Sequence, residues 1–448
     1  MEDFGFHFGL GGGGGSTTEE SSITGTENSF TMFEEVLGNL NREALIQRAT
    51  EVYGNVYPNQ AQTANAVPVI GDFMYGSNNV ILPLKFKTGI RWIARIPALG
   101  VPDMWDERAR MTMTAENNTL RLLKRETTIP LQEIFDYSTS LENPLCCPYT
   151  ILDFVPGLIL EDVWKGIGVN PLLANVRRLR AMRDIAKALA QLSRYTAKTG
   201  GSLCFHEDGT RDTSRTGFLA PIDESAYTTE RPDAMYHNST DPKSYYKILL
   251  ENNPCGAKGG KGIDAFLLQL IEWIPVPADA DPFVLTHPDF HHMRNFIVNQ
   301  DGELQSIIDW DGVGLMPRSL GNEQYPWWLI GVSDLGYSNG MMQQGGSTTD
   351  AYWRRQYEKL MASQKGIKDK YGCRMTRMTK TIEWILQEAS SRERYMQNML
   401  KLIWSIGGED EPPSFEKLTK MFRSGHVDGK VRKRLRRGFL TLLHRGGW

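Results

Sequence analysis

This 448-residue chain has no apolar run approaching the roughly 18 residues that a membrane-crossing helix needs, so no membrane span is expected. Its first residues, MEDFGFHFGLGGGGGSTTEESS, carry early acids and lack the basic and apolar regions of a secretory leader, so no signal peptide is expected. Cysteine is scarce. The five present (Cys146, Cys147, Cys204, Cys255 and Cys373) are odd in number and show no metal-ligand spacing. That usage fits a reduced intracellular compartment with buried or idle thiols. A basic excess is also lacking: 50 Lys and Arg stand against 53 Asp and Glu, a net charge of −3. No nucleic-acid partner is therefore expected. Apolar residues are not short, at 40% hydrophobic and 10% aromatic, which is enough for a large core. Together these features point to a cytoplasmic globular protein, and nothing in them sets an oligomeric state.

Residues 1–30 are rich in Gly, Ser, Thr and Glu and read as a disordered tail, since they cannot bury enough apolar surface to offset their ordering entropy. The spacing of Phe33, Val36, Leu37, Leu40, Leu45 and Ile46 predicts a helix over Phe30–Val52. From Val67 the texture turns to β. VPVIGDFMY, NNVILPLKF and IRWIARIP, separated by turns at Gly76-Ser77-Asn78 and Lys87-Thr88-Gly89, predict an antiparallel meander. A helix over Arg108–Arg125 and a strand in YTILDFVPG follow. Beyond Gly157 the pattern is mostly helical, with an amphipathic helix predicted over Val176–Ala197. Residues 206–262 read as a long insertion, and helices are predicted at 348–364, 379–405 and 414–424.

The informative stretch is FVLTHPDFHHMRNFIVNQDGELQSIIDWDG, residues 283–312. It sets Asp289, Asn295 and Asp309 at the ends of short apolar strands, with a hairpin turn at NQDG. Taken singly, each is an ordinary turn residue. Taken together, they are the hard oxygen ligands that a Mg²⁺-nucleotide site requires, with a carboxylate able to accept a proton from a hydroxyl.

HPDFHHMRNFIV followed by IIDWDG resembles the catalytic core of the aminoglycoside phosphotransferase family, also called the phosphotransferase enzyme family, and its uncharacterised fungal members in particular. Further resemblances occur in family order: WIARIP, TAENNTLRLLKRETTIPLQEIFDYS, YTILDFVPGLILEDVW, GGSLCF and YPWWL, spanning about residues 67–330. The resemblance implies an α+β, bilobal protein-kinase-like fold with a small β-rich N-lobe and a larger, mostly helical C-lobe. In those terms 31–156 would be the nucleotide-binding lobe with a preceding helix, 157–424 the helical lobe with the catalytic loop, and 425–448 a basic C-terminal segment.

The resemblance also implies roles. Asp289 would orient or deprotonate the acceptor hydroxyl, and Asn295 and Asp309 would ligate Mg²⁺ on the phosphates of ATP. Arg95 would meet the α/β-phosphates, braced by Glu116. The turn of Gly76, Ser77 and Asn78 would cover the phosphates with backbone N–H groups, and Asp153, Phe154 and Val155 would form the hinge against adenine. The implied activity is γ-phosphoryl transfer to a hydroxyl of a small molecule. The alternative is a pseudokinase that binds nucleotide or a partner.

The chain departs from the family pattern in three places. Five residues, Phe290–Arg294, separate Asp289 from Asn295 where the family has four. Arg95 stands in place of lysine, a planar fork instead of a compact point charge. The first loop is Gly71…Gly76 and not G-x-G-x-x-G. Outside the constellation, His291 and His292 read as structural or loop residues, and Asp311 as a strand cap. Cys146 and Cys147 read as core packing, as do Trp327, Trp328 and Trp353. In the run KVRKRLRR (430–437), six of eight residues are basic. Val431, Leu435, Phe439 and Leu442 nevertheless predict an amphipathic helix with a solvated basic face, nuclear localisation being the other reading.

Overall fold

A computed structural model of the chain describes residues 33–60, 64–76, 78–218, 239–276, 281–329, 348–364, 372–406 and 410–445. The expected N-terminal tail lies outside them. The described residues fall into two compact units. The first runs to Gly157 and takes in Gln305–Ile308, and the second holds the other described residues from Leu158 onward.

In the first unit, residues 33–39 are helical and α1 follows at Arg42–Val56. The single helix predicted over Phe30–Val52 is thus divided. Asn41 divides it, accepting the Ala44 N–H on its side chain at 3.1 Å while its own N–H donates to Leu145 O. Phe33, Val36, Leu40 and Leu45 are buried on both sides of the break, as their spacing required.

The meander forms as β1 (Val69–Ile70), β2 (Met74–Tyr75), β3 (Asn79–Lys85) and β4 (Arg91–Pro97). Helix α2 (Glu107–Glu126) comes next, then β5 (Ile134–Ser138) and β6 (Tyr149–Asp153). The antiparallel sheet runs β1-β3-β4-β6-β5, with β2 also on β3. Side chains alternate across β4: Trp92, Ala94 and Ile96 join the core with α1, whereas Ile93 belongs to a second cluster with Leu120 of α2 packed on it. A polar strut ties α1 to the sheet. Arg48 grips Asp136 with two N–H groups at 2.7 and 2.8 Å, and the Tyr149 hydroxyl donates to the same carboxylate at 2.8 Å.

The second unit begins with β7 (Leu158–Ile159) and α3 (Leu160–Lys165), then α4 (Pro171–Ala190), which Asn170 caps with Pro171 at its first turn. The helix predicted over Val176–Ala197 stops at Ala190, and Thr196–Ala197 is instead the short strand β8. The insertion carries the hairpin β9 (Leu203–Phe205) and β10 (Arg211–Thr216), then α5 (Pro242–Asn252). Helix α6 (Gly260–Trp273) leads to β11 (Phe283–Thr286), which lies between β8 and β14 (Gly314–Pro317). Strand β12 (Phe296–Val298) pairs with β7, and after the predicted hairpin turn comes β13 (Leu304–Ile307), whose residues from Gln305 onward belong to the first unit. In that turn the Asn299 side chain accepts from the Asp301 and Glu303 N–H groups, and Gly302 takes φ 81°.

The remaining helices are α7 (Thr348–Ala362), α8 (Gly372–Gln387), α9 (Arg392–Ser405), α10 (Phe415–Ser424) and α11 (Gly429–Arg445). The helix predicted over 379–405 is two. Arg392 causes the break, because its buried guanidinium donates to the Ile385 and Leu386 carbonyls at the end of α8 and pairs with Asp264. On α11, Leu435, Phe439 and Leu442 are fully buried in the core shared by α5, α6, α8, α9 and α10, while Arg432, Lys433, Arg436 and Arg437 stay exposed. Trp353 is buried and Trp328 packs beside it, and the Trp327 side chain lies outside the described residues. Cys147 is buried as expected, but Cys146 is exposed, since the turn it occupies gives it φ 60°. No described helix is long and apolar enough to cross a membrane.

Candidate active site

Strand β11 ends at Thr286 and delivers His287, whose ring packs edge-on against Trp310 with centroids 4.5 Å apart. The Asp289 N–H donates to His287 Nδ1 at 3.1 Å, fixing the start of the loop. Phe290 is fully buried and anchors its middle. The additional residue between Asp289 and Asn295 is absorbed in the turn before β12, where Met293–Asn295 form a single helical turn. Asn295 still faces back. Its Nδ2 donates to the Asp289 carbonyl at 2.8 Å and to Asp289 Oδ2 at 3.2 Å.

Asp289 is half-buried, and that desolvation pushes its carboxyl up to about 6. The His292 ring, 3.6 Å away, works against the rise, and the Asp309 carboxylate adds to it. Asp289 and Asp309 are therefore within each other's field. Asp309 is exposed and adopts φ 65°, a left-handed conformation uncommon for a residue with a side chain. Buried Trp310 and the turn from Trp310 O to the Val313 N–H hold it there. Two carboxylates close enough for one to act on the other, beside an amide whose Nδ2 is already used, form a donor set that suits a divalent cation. Among the described residues no group of three His, Cys, Asp or Glu could hold a metal, which includes His291 and His292. His291 is buried and held neutral, first by that burial.

In the first unit, Arg95 lies in mid-strand, opposite Ile81 of β3 and Thr150 of β6. The Thr150 hydroxyl donates to the Asn117 side chain at 3.3 Å, so α2 meets the sheet beside Glu116 at the level of Arg95. The residues expected to form the hinge lie at the end of β6 and just after it. Asp153 uses its N–H on Glu133 O and its carbonyl on Gln132, and the Phe154 N–H donates to Arg91 O. Burial raises the Asp153 carboxyl above its usual range, although the Glu133 N–H donates to it. Val155 makes no backbone hydrogen bond to another described residue, so the groups left to a ligand concentrate there.

The turn before β3 is less open than expected. The Gly76 N–H closes onto Asn79 O at 2.9 Å, and Asn78 O accepts from Ala98, which removes the Gly76 donor from any ligand. Ser77 lies outside the described residues.

Two charged groups of the second unit escaped the sequence reading. Arg294 is held by Glu161 at 3.1 Å, and Lys380 of α8 acts electrostatically on Asp289. Neither has a local sequence signal, because both partners are distant in the chain.

Residues 84–320 match the family model described as phosphotransferase enzyme family. A subtelomeric hrmA-associated cluster protein of Aspergillus fumigatus is 33% identical over 316 residues, covering 56% of this chain and 59% of that protein. The chain thus spans about three-fifths of the length of the curated relatives it matches. Among solved structures, an ethanolamine kinase of Plasmodium vivax is 12% identical over 86% of this chain and 88% of its own, with TM-score 0.40. An amicoumacin kinase, solved in complex with AMP-PNP, Ca²⁺ and Ami, is 13% identical over 80% of this chain and 88% of its own, also with TM-score 0.40. The α+β class expected from the sequence stands, with a β-rich first unit and a mostly helical second one. Since the matched segment is more than half of the chain and contains Arg95, Asp289, Asn295 and Asp309, this protein belongs to the phosphotransferase enzyme family.

Proposed function

We propose that the chain is an ATP-dependent phosphotransferase that moves the γ-phosphoryl group to a hydroxyl of a small-molecule acceptor. The observation that carries this reading is the Asn295 amide meeting the Asp289 main-chain carbonyl and its Oδ2 despite the inserted residue, with Asp309 in the same field. Asp289 orients the acceptor hydroxyl and takes its proton. Its half-buried carboxyl, raised to about 6, remains mostly ionised at neutral pH while keeping useful basicity. Asn295, through Oδ1, and Asp309 would hold Mg²⁺, which when bound neutralises phosphate charge. Arg95, braced by Glu116, faces the α/β-phosphates. The hinge of Asp153, Phe154 and Val155 meets adenine chiefly through Val155.

A second reading, a pseudokinase that binds nucleotide or a partner without turnover, draws on the committed Gly76 N–H and on Arg95 standing for lysine. One experiment separates the two. Thermal unfolding is measured with and without Mg²⁺-ATP, on the wild type and on Asp309→Ala. Ligand at a hundred times its Kd contributes about 2.7 kcal/mol, which raises the melting temperature measurably. The phosphotransferase reading expects a Mg²⁺-dependent rise that Asp309→Ala abolishes, together with turnover when hydroxyl compounds are screened. A rise without turnover supports a nucleotide-binding pseudokinase, and no rise at millimolar nucleotide removes the phosphotransferase reading and leaves the partner-binding pseudokinase.

A further inference from the structure

The exposed face of α11 takes no part in the phosphoryl transfer proposed above. This helix, Gly429–Arg445, contains seven Lys and Arg and no Asp or Glu, although the chain as a whole carries a net charge of −3. Its buried side is complete: Leu435, Phe439, Leu442 and Leu443 lie in the core, and Val431 and Leu440 pack against it. Two of the cations are held by the protein. Arg434 pairs with Asp410 at 2.8 Å over the Trp404 ring, and Arg432 donates to Gln269 at 2.8 Å. Lys430, Lys433, Arg436 and Arg437 are exposed, and their side chains pair with no acid among the described residues.

Stability does not account for this arrangement. Lys433 stands three residues from Lys430 and from Arg436 and four from Arg437, the spacings at which like charges on a helix repel. The first turn holds cations and no acid, at the helix end whose dipole is positive. A helix kept only for its buried face would mix the two signs on its outer one. Charges that disfavour the fold slightly and meet nothing within it are set for an anion outside it.

The same face narrows what that anion can be. Among the described residues of α11 no large apolar side chain is exposed, so a protein partner finds no anchor for an interface core. Nucleic-acid binding asks for a basic excess over the whole domain, and the chain has none. A bilayer asks for less: it meets one face only, and acids more than about 10 Å from it are screened. We propose that α11 docks the protein on an anionic phospholipid surface, at headgroup level, through Lys430, Lys433, Arg436 and Arg437. Such docking requires neither nucleotide nor acceptor.

The test is co-sedimentation of the full chain with vesicles of phosphatidylcholine, alone or with about 30% phosphatidylserine, at about 0.1 M salt. Wild type should pellet with the anionic vesicles, stay in solution with the neutral ones, and be released at about 0.5 M salt. Lys433→Gln with Arg437→Gln should weaken binding about tenfold, and glutamine at all four positions about a hundredfold or more, because each cation near the surface contributes separately. Arg436→Lys with Arg437→Lys keeps the charge and should bind as wild type does. Both glutamine variants should melt no lower than wild type, since the charges removed repel one another. A lower melting temperature would assign those side chains to the fold and overturn the docking role. Wild type that ignores anionic vesicles or binds neutral ones equally, or glutamine variants that bind undiminished, overturn it too. Tighter binding to duplex DNA at equal phosphate concentration overturns the lipid assignment in favour of a nucleic acid.

Discussion

The two units place their candidate site residues by different means. In the first, the expected hinge and the Arg95 strand are fixed by the β4–β6 ladder, a set of main-chain bonds. In the second, Asp289, Asn295 and Asp309 lie on loops and are fixed by one another and by buried neighbours such as Phe290 and Trp310. A ladder tolerates side-chain change because its bonds are made by the backbone. A loop held by side chains does not. Departures from the family pattern collect accordingly in the first unit, at Arg95 and Gly71…Gly76. The single departure in the second is an insertion that leaves the Asn295–Asp289 bonds in place.

This contrast can be broken most decisively at Asp289. Asp289→Asn removes the proton acceptor and keeps the loop's shape, so transfer to an identified acceptor should fall by about 10² to 10⁴ while MgATP affinity is retained. A loss of affinity in step with rate would mean that the residue serves binding and the contrast is false.

Stability sharpens the same comparison. Phe439→Ala opens a void under α11, in the core where five other helices meet, and should cost about 3–5 kcal/mol in urea unfolding. A much smaller loss would show that the terminal helix is dispensable to the second unit. In the first unit Tyr149→Phe deletes one hydroxyl from the Arg48–Asp136 strut. Arg48 still satisfies the carboxylate, so about 0.5–1.5 kcal/mol is expected by the same measurement.

The smallest effect concerns pH. Hydrogen bonding to Lys165, and then to Arg294, lowers the Glu161 carboxyl in the folded state. Its contribution is therefore present above the ordinary glutamate value and is lost as pH falls through the lowered one. Being only part-buried and open to solvent screening, the group should contribute less than about 1 kcal/mol. Melting temperatures from pH 6 to pH 3 should fall slightly less steeply for Glu161→Gln than for wild type, and identical slopes would assign Glu161 no role in holding Arg294.

Much of this was legible in the residue order, and the reason is local. Alternation along VILPL and RWIARIP revealed β3 and β4, and the three- and four-residue spacing of Leu435, Phe439 and Leu442 revealed α11. H-x-D, Asn and I-D-W revealed the loop because their spacing is itself the geometry. The failures were all non-local. Phe30–Val52 read as one helix because apolar periodicity runs through Asn41, whose cap and link to Leu145 no pattern records. Likewise 379–405 read as one helix because Arg392 looks like a surface residue until its guanidinium is seen on the Ile385 and Leu386 carbonyls.

The sequence by itself determined the α+β class, the family, and which acids and amides sit near one another along the chain, because periodicity and short motifs are encoded within a few residues. Only the tertiary structure decided that Asn41 ends the first helix against Leu145, that Arg392 is buried on Asp264, and that Arg294 is held by Glu161. Those facts depend on hydrogen bonds and ion pairs between residues far apart in the chain, and such pairings exist only once the backbone has closed.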